Sequence, residues 1–261
     1  MELTRDNYFC DEAQHQYLGA SQIKAFMQCE TAALAELDGK MVRKPSKALL
    51  MGSYVDAWAS GDLRAFFDAH RDEIFTKRGE MRSDFIKCEE IIDRIRRDST
   101  FMAYLDGEKQ RIMTAELFGE PFKIMMDAYH PGGCIVDLKV MKDLAPVYKD
   151  GQRQDFISAW GYDIQGHIYQ RVVEENTGEH LPFHLAVVTK EEEPEIQIIH
   201  IPDWKLNSAA GVVEHYAKRA GALKRGDAEP TRCERCAYCR KTRVLLGPIE
   251  YDDFLADMAD L

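Results

Sequence analysis

The chain of 261 residues contains no apolar run long enough to form a membrane-spanning helix, so no such helix is expected. It has no internal repeat and no low-complexity tract, which sets aside solenoid and disordered-linker architectures. Its opening stretch, MELTRDNYFCDEAQ, is acidic and polar and lacks the basic–apolar pattern of a secretory signal, so a cytoplasmic protein is expected. It also lacks an even set of cysteines. The seven present argue against a disulfide framework, and clustered cysteines in a cytosolic chain point to metal. Finally, it lacks a positive balance: the formal net charge of -11 argues against simple coating of a phosphate backbone.

What is present is uneven. From Lys218 to Arg243 there are nine Lys or Arg against three acids, and KMVRKPSK at 40–47 adds four bases without an acid. EYDDFLADMADL at the C-terminus carries five acids and no base. Local basic stretches in an acidic total suit an enzyme that gathers carboxylates around metal ions and grips nucleic acid elsewhere. With 45% hydrophobic residues, a full core is within reach.

The periodicity predicts an α/β fold: a central mixed β-sheet flanked by helices, with a helical N-terminal part and a Cys-rich C-terminal tail. Residues 20–38 read as one helix with Ser21 as N-cap. SKALLMGSYVDAWAS reads as a second, with Gly52 at a close packing contact. Residues 61–105 are helical. RIMTAELF, FKIMMDAYH and CIVDLKV read as three strands joined by short turns. A helix over about 153–176 follows, then strands FHLAVVTK and EIQIIHI, then a helix from Asp203 to about Ala222. The expected organisation is a single domain over 1–261: a helical part at 1–105, an α/β core at 106–222, and a basic then acidic tail at 223–261.

One tripeptide pattern, D-x-K, occurs three times, so alone it means little. Asp38-Gly39-Lys40 reads as a turn after a helix. Asp203-Trp204-Lys205 follows Pro202 and reads as a helix N-cap. Only Asp137-Leu138-Lys139 lies inside a strand-like run. Residues two apart on a strand share a face, so Asp137 and Lys139 point the same way. Buried charge is costly unless paired or metal-bound. A plain salt bridge would satisfy them. Asp127 lies ten residues earlier, across a turn, where an antiparallel pairing brings it beside Asp137. Two carboxylates and one lysine make a poor salt bridge and a good site for a hard divalent cation.

Asp127 followed by Asp137-Leu138-Lys139 resembles the PD-(D/E)XK nucleases, whose core is restriction-endonuclease-like. Gln165-x-x-x-Tyr169 in YDIQGHIYQ resembles the motif that follows this core in the RecB-type and phage exonuclease branches, with Tyr162 on the same helical face. YLGASQIKAFMQCE is similar to the opening helix of that branch. MGSYVDAWA is similar to its G-x-x-x-H motif, with Asp56 where the family has a metal-binding histidine. Across roughly residues 17–243 the chain resembles phage and prophage exonucleases of the RecE type, similar to exodeoxyribonuclease VIII.

That resemblance implies a Mg²⁺- or Mn²⁺-dependent deoxyribonuclease. It would act as a 5′-to-3′ exonuclease on double-stranded DNA ends, leaving 3′ single strands for homologous recombination. A single-strand annealing protein of the RecT kind and a homo-oligomeric ring come with it as expected partners. It implies that Asp127, Asp137, Asp56 and the backbone carbonyl of Leu138 hold metal. Lys139 would position the attacking water, Gln165 would contact the scissile phosphate region or Lys139, and Tyr169 would belong to the catalytic group. Lys142 reads as a solvated lysine that could touch phosphate.

Cys233-x-x-Cys236-x-x-Cys239 needs a fourth ligand to close a metal site. Cys29 on the opening helix occupies a position similar to that in iron–sulfur nucleases of this superfamily, of the AddB and CRISPR-adaptation types. A [4Fe–4S] cluster is the first expectation, a structural zinc the second and free thiols the third. Cys10, Cys88 and Cys134 read as ordinary residues. Two alternative functions stay open: an iron–sulfur nuclease of the repair or adaptation kind, and a catalytically silent DNA-binding module. The acidic tail reads either as a disordered end or, with Phe254, Leu255, Met258 and Leu261 at roughly helical spacing, as a helix docking on a neighbouring subunit or partner.

Overall fold

The shift from helical to two-residue periodicity near residue 106 is where the chain enters its sheet. The computed structural model describes residues 1–42, 46–149, 151–245 and 247–252, so the expectation for the acidic tail's apolar residues lies outside the described residues. Before the shift come α1 (Asp11–Gln16), α2 (Ala20–Gln28), α3 (Glu30–Leu37), α4 (Lys47–Ser60), α5 (Leu63–Ala69), α6 (Arg71–Ile74), α7 (Ser83–Arg96) and α8 (Ser99–Leu105). The strands β1 (Glu108–Leu117), β2 (Glu120–His130) and β3 (Cys134–Met141) follow, then a small hairpin of β4 (Val147–Lys149) and β5 (Gln152–Gln154). Next are α9 (Phe156–Ala159), α10 (Tyr162–Thr177), β6 (Phe183–Thr189) and β7 (Ile196–Ile201). The described chain closes with α11 (Asp203–Ser208), α12 (Ala210–Arg225) and α13 (Ala237–Lys241).

Five strands form one mixed sheet in the order β1-β2-β3-β6-β7. The central pair β3–β6 is parallel and the others are antiparallel, as expected from the α/β pattern. A strand buried on both faces reads as a near-continuous apolar run. β3 is such a strand. Ile135 and Met141 join Ile23 and Phe26 of α2, Ile168 and Val172 of α10, and Val213 of α12 in one core. Val136 and Leu138 join Tyr54 and Val55 of α4, Ile91 and Ile95 of α7, and Phe101 of α8 in the other. Helices therefore cover both faces. Among the described residues no helix is long and apolar enough to cross a membrane.

Three expected helices are divided. The helix foreseen over 20–38 breaks at Cys29, whose extended backbone (φ -169, ψ 112) ends α2 and starts α3. Its N-cap is Gly19 rather than Ser21. The helix foreseen from about 153 begins later, because 152–154 pair as β5 and Gly161 (φ 64) separates α9 from α10. The helix foreseen from Asp203 bends at Ala209. Pro202 occupies the cap there, and the Asp203 carboxylate instead accepts from Gln170 Nε2 at 3.1 Å. The apolar period continues through these positions, but a local hairpin at 152–154, a left-handed Gly161 and non-helical backbone at Cys29 interrupt the helices.

The expected close contact at Gly52 is absent, for nothing lies within 4 Å of where its Cβ would be. Close packing falls instead on Gly166 of α10. A Cβ there would stand 2.7 Å from Leu206 Cδ2 and 2.7 Å from Phe183 Cδ1. Gly166 thus lets α10 seat against β6 and α11. Overpacking a filled core costs about 1–3 kcal/mol. Gly166→Ala should therefore lower the melting temperature by several degrees despite alanine's better helix propensity, and an unchanged or raised midpoint in thermal denaturation would refute the tight seating of α10.

Candidate active site

β2 and β3 pair over only three positions, Ala128↔Val136 to His130↔Cys134. The next step would set Asp127 against Asp137. There the strands fork, and β3 continues its ladder with β6 alone. The backbone N–H of Leu138 donates to Asp127 Oδ2 at 2.8 Å, capping the end of the ladder. On the other side of β2, the ladder with β1 skips Gln110 and Asp127. Gln110 takes a left-handed backbone (φ 50), and its Nε2 donates to Asp127 Oδ1 at 3.2 Å. Met126 and Tyr129 lie in the same core while Ala128 lies in the opposite one, so the alternation of β2 changes phase here. A local break of this kind re-aims one side chain without disturbing the strand around it.

On β3, Asp137 is only 2% exposed. Its Oδ1 accepts from Gln165 Nε2 at 2.7 Å. Its Oδ2 forms a close ion pair with Lys139 Nζ. Lys139 Nζ also donates to the Leu138 carbonyl at 3.3 Å and sits 5.6 Å from the centroid of the Tyr162 ring. Asp56 comes from α4, whose Met51, Tyr54 and Val55 are buried against the second core. From there Asp56 interacts electrostatically with Asp127, Lys139 and Asp137. It also lines an open cleft of ≈ 780 Å³ with Arg5, His70, Gln110 and Met125, through which a substrate can approach.

Three acids thus face one lysine. Burial, reinforced by Asp137, pushes the Asp127 carboxyl up to about 6, against the pull of Lys139, the Leu138 N–H and the Gln110 amide. Burial and the charge of Asp127 raise Asp56 well above the ordinary carboxylate range. For Lys139 burial works against the charge, yet Asp137, Asp127 and Asp56 together raise it and keep it protonated. The surplus negative charge of three acids around one lysine is what a divalent cation with oxygen ligands would relieve. The donor chemistry, three carboxylates and the Leu138 carbonyl, is that of such an ion, with Asp56, Asp127, Asp137 and Leu138 as the groups that would hold it; among the described residues only the cysteines already bring their ligand atoms into one close group.

Gln165 lies against Asp137 rather than Lys139. Tyr169, one helical turn on, is buried and donates from its hydroxyl to the Met125 carbonyl at 3.0 Å. Both fasten α10 to the forked strands. Lys142 is solvent-exposed and paired with Asp143 at 3.2 Å. Two residues at the site were not visible in the sequence. Gln110 gives no signal, because its role depends on a local left-handed turn in β1. Lys24 lies on α2, where its Nζ donates to the Trp160 carbonyl at 3.3 Å and stands 5.7 Å from the Tyr162 ring centroid. Burial, then the charge of Lys139, lowers it to about 8. Its helix pattern is ordinary, and only the crossing of α2 past the start of α10 brings it to the acids.

The cysteines form a second centre. Cys29, at the break between α2 and α3, meets Cys233, Cys236 and Cys239, and the four sulfur atoms all lie within 4.8 Å of one another. The N–H of Cys236 donates to Cys233 Sγ at 3.3 Å and that of Cys239 to Cys236 Sγ at 3.4 Å. Burial opposes ionisation of Cys233, but the N–H groups of Cys236 and Arg235 outweigh it and bring the thiol down to about 6. Cys10, Cys88 and Cys134 stand apart from this group.

Over residues 19–242 the chain matches the family model described as a PDDEXK-like domain of unknown function (DUF3799). Among solved structures, a crystal structure of a protein from Eubacterium rectale described as a "putative exonuclease" is 46% identical, with a TM-score of 0.93. The likeness covers 98% of this chain and 99% of that one. No curated protein matches the chain.

The raised Asp127 sets the sign of a pH effect. A carboxyl whose pKa is higher in the folded than in the unfolded state binds an extra proton when folded, so metal-free stability falls as pH rises from about 4 to about 6. Asp127→Asn, which can still accept from Leu138, removes that loss. Calorimetry on metal-free protein should show the variant melting above the parent at pH 7, with the gap closing towards pH 4. Mn²⁺ should raise the melting point of the parent alone. A variant that melts lower at pH 7 would make Asp127 a structural ion-pair partner instead.

Proposed function

The chain belongs to the PDDEXK-like DUF3799 family, and on that premise we propose that it is a divalent-metal-dependent deoxyribonuclease that degrades double-stranded DNA from its ends. The observation that carries this reading is the fork of β2 and β3, where Asp127, Asp137 and Lys139 converge with Asp56. A catalytically silent module would retain three mutually repelling acids at a cost in stability, with no cation to relieve them.

A cation held by Asp56, Asp127, Asp137 and the Leu138 carbonyl would supply Lewis-acid polarisation of a phosphoryl oxygen. The remaining work belongs to the chain. Lys139, protonated at Nζ, donates to the attacking water or the phosphoryl oxygen and offsets charge as it builds. Gln165 holds Asp137 in one orientation, and Tyr169 anchors Met125 beside it. The ring of Tyr162 lies near both Lys24 and Lys139, and Lys24 adds a second positive charge for the phosphate backbone. Attack in the 5′-to-3′ direction, delivery of 3′ single strands to an annealing protein of the RecT kind and assembly as a ring complete the proposal. They are supported by the motif order that the chain shares with RecE-type exonucleases.

Linear duplex labelled at either the 5′ or the 3′ end, digested with and without Mg²⁺ beside covalently closed circles, tests the reading. Metal-dependent release of the 5′ label with circles spared is expected. Cutting of circles would make the enzyme an endonuclease. Asp137→Ala should abolish cleavage while the protein stays folded. Lys139→Ala should slow it by about 10²–10⁴-fold, the usual contribution of a positioned proton-transfer or donor group. Full activity in either variant would end the assignment.

A further inference from the structure

The geometry of the cysteine centre decides what it holds, independently of the proposed nuclease activity. We propose that Cys29, Cys233, Cys236 and Cys239 bind one zinc ion as a closed structural site that fastens the C-terminal segment to the junction of α2 and α3.

The sulfur separations carry the argument. Around a single tetrahedral ion with Zn–S bonds of about 2.3 Å, thiolates stand about 3.8 Å apart. Cys29 Sγ lies 3.5 Å from Cys239 Sγ, Cys233 Sγ lies 4.0 Å from Cys239 Sγ, and no pair exceeds 4.8 Å. In a [4Fe–4S] cluster each thiolate binds its own iron at a separate corner of a cube. The sulfurs then lie one bond length outside the irons and must stand much farther apart. A [2Fe–2S] cluster brings together only the two thiolates on each iron. Four sulfurs drawn this close match the spacing around one tetrahedral ion rather than the wider spacing around a [4Fe–4S] cluster.

The surroundings agree. The apolar core here is very small, consisting of Cys29, Ala32 and Cys239 with parts of Cys233, Cys236 and Tyr238. Burial on that scale contributes little to holding the segment 232–243, and a bound metal would add the missing tie. Two backbone N–H groups already point at sulfur, on Cys233 and Cys236, as bound thiolates require. The neighbouring contacts fix the register: Thr31 Oγ1 donates to the Thr231 carbonyl at 3.0 Å, and the Thr231 N–H donates to Glu30 Oε2 at 2.7 Å. All four ligand positions are filled by protein, which marks a structural rather than a catalytic zinc.

The test uses the full-length chain, purified without added metal. Elemental analysis should find about one zinc per chain and no iron, in a colourless protein. Replacing the zinc by Co²⁺ should produce the visible absorption of a tetrahedral thiolate site. Cys236→Ser should lose the zinc and melt several degrees lower. If that variant does not fold, Co²⁺ exchange into the parent protein remains decisive. Asp137→Ala should keep its zinc, so failure at the cysteines is separable from failure at the acids. Iron and sulfide in equal amounts with broad absorption at about 400 nm would replace the proposal with an iron–sulfur cluster. A metal-free parent that melts no higher when Zn²⁺ is added, or a Cys29–Cys239 disulfide found by mass mapping, would overturn it.

Discussion

The repulsion among Asp56, Asp127 and Asp137 is the constraint on which the rest of this structure depends. One ammonium group, that of Lys139, cannot neutralise three carboxylates in a buried setting. Their positions must therefore be imposed by something stronger than their own interactions. The sheet and its two cores do this. β3 is clamped between α4 and α7 on one face and α2 and α10 on the other, so Asp137 cannot retreat to solvent. α4 buries Met51, Tyr54 and Val55, which commits Asp56 to the same region.

The fork of β2 and β3 turns that rigidity into a site. Had the antiparallel ladder continued, Asp127 and Asp137 would have been opposed inside a regular sheet with no room for a substrate. Because pairing stops at Ala128↔Val136, the Leu138 N–H turns to the Asp127 carboxylate and its carbonyl lies beside Lys139. The phase change at Gln110 and Asp127 is the matching adjustment on the outer side of β2. Each adjustment sacrifices ladder hydrogen bonds and replaces them with side-chain ones to Asp127.

α2 links the acid centre to the cysteine centre. It carries Lys24 to the acids and ends at Cys29, and the bidentate pair of Arg219 with Glu30, at 2.8 and 2.7 Å, ties the start of α3 to α12. A fixed Cys29 therefore also limits where Lys24 can lie. The two centres differ in chemistry for a simple reason. Hard oxygen donors gather at the sheet, where a cleft reaches solvent, and soft sulfur donors gather where the chain has little apolar surface of its own.

The legible part of this protein was its periodicity and its oddities. A change from period 3.6 to period 2 predicted the helical part and the five-stranded sheet. The acid and lysine two apart in an apolar run stood out because a strand buried on both faces has no ordinary use for them. The three cysteines at x-x spacing stood out because they lacked a fourth, and Cys29 was identified by resemblance. The helix breaks at Cys29, Gly161 and Ala209 were not legible, because the apolar period runs through all three. The role of Lys24 was hidden because it depends on elements distant in the chain, and that of Gln110 because it depends on a local left-handed backbone in β1. The sequence by itself thus determined which elements form and which residue types are available for chemistry, since local periodicity and side-chain charge are local properties. The tertiary structure alone decided that Gln165 holds Asp137, that pairing of β2 and β3 stops short of the acids and that four sulfurs close on a single point, because distances between elements are set by packing.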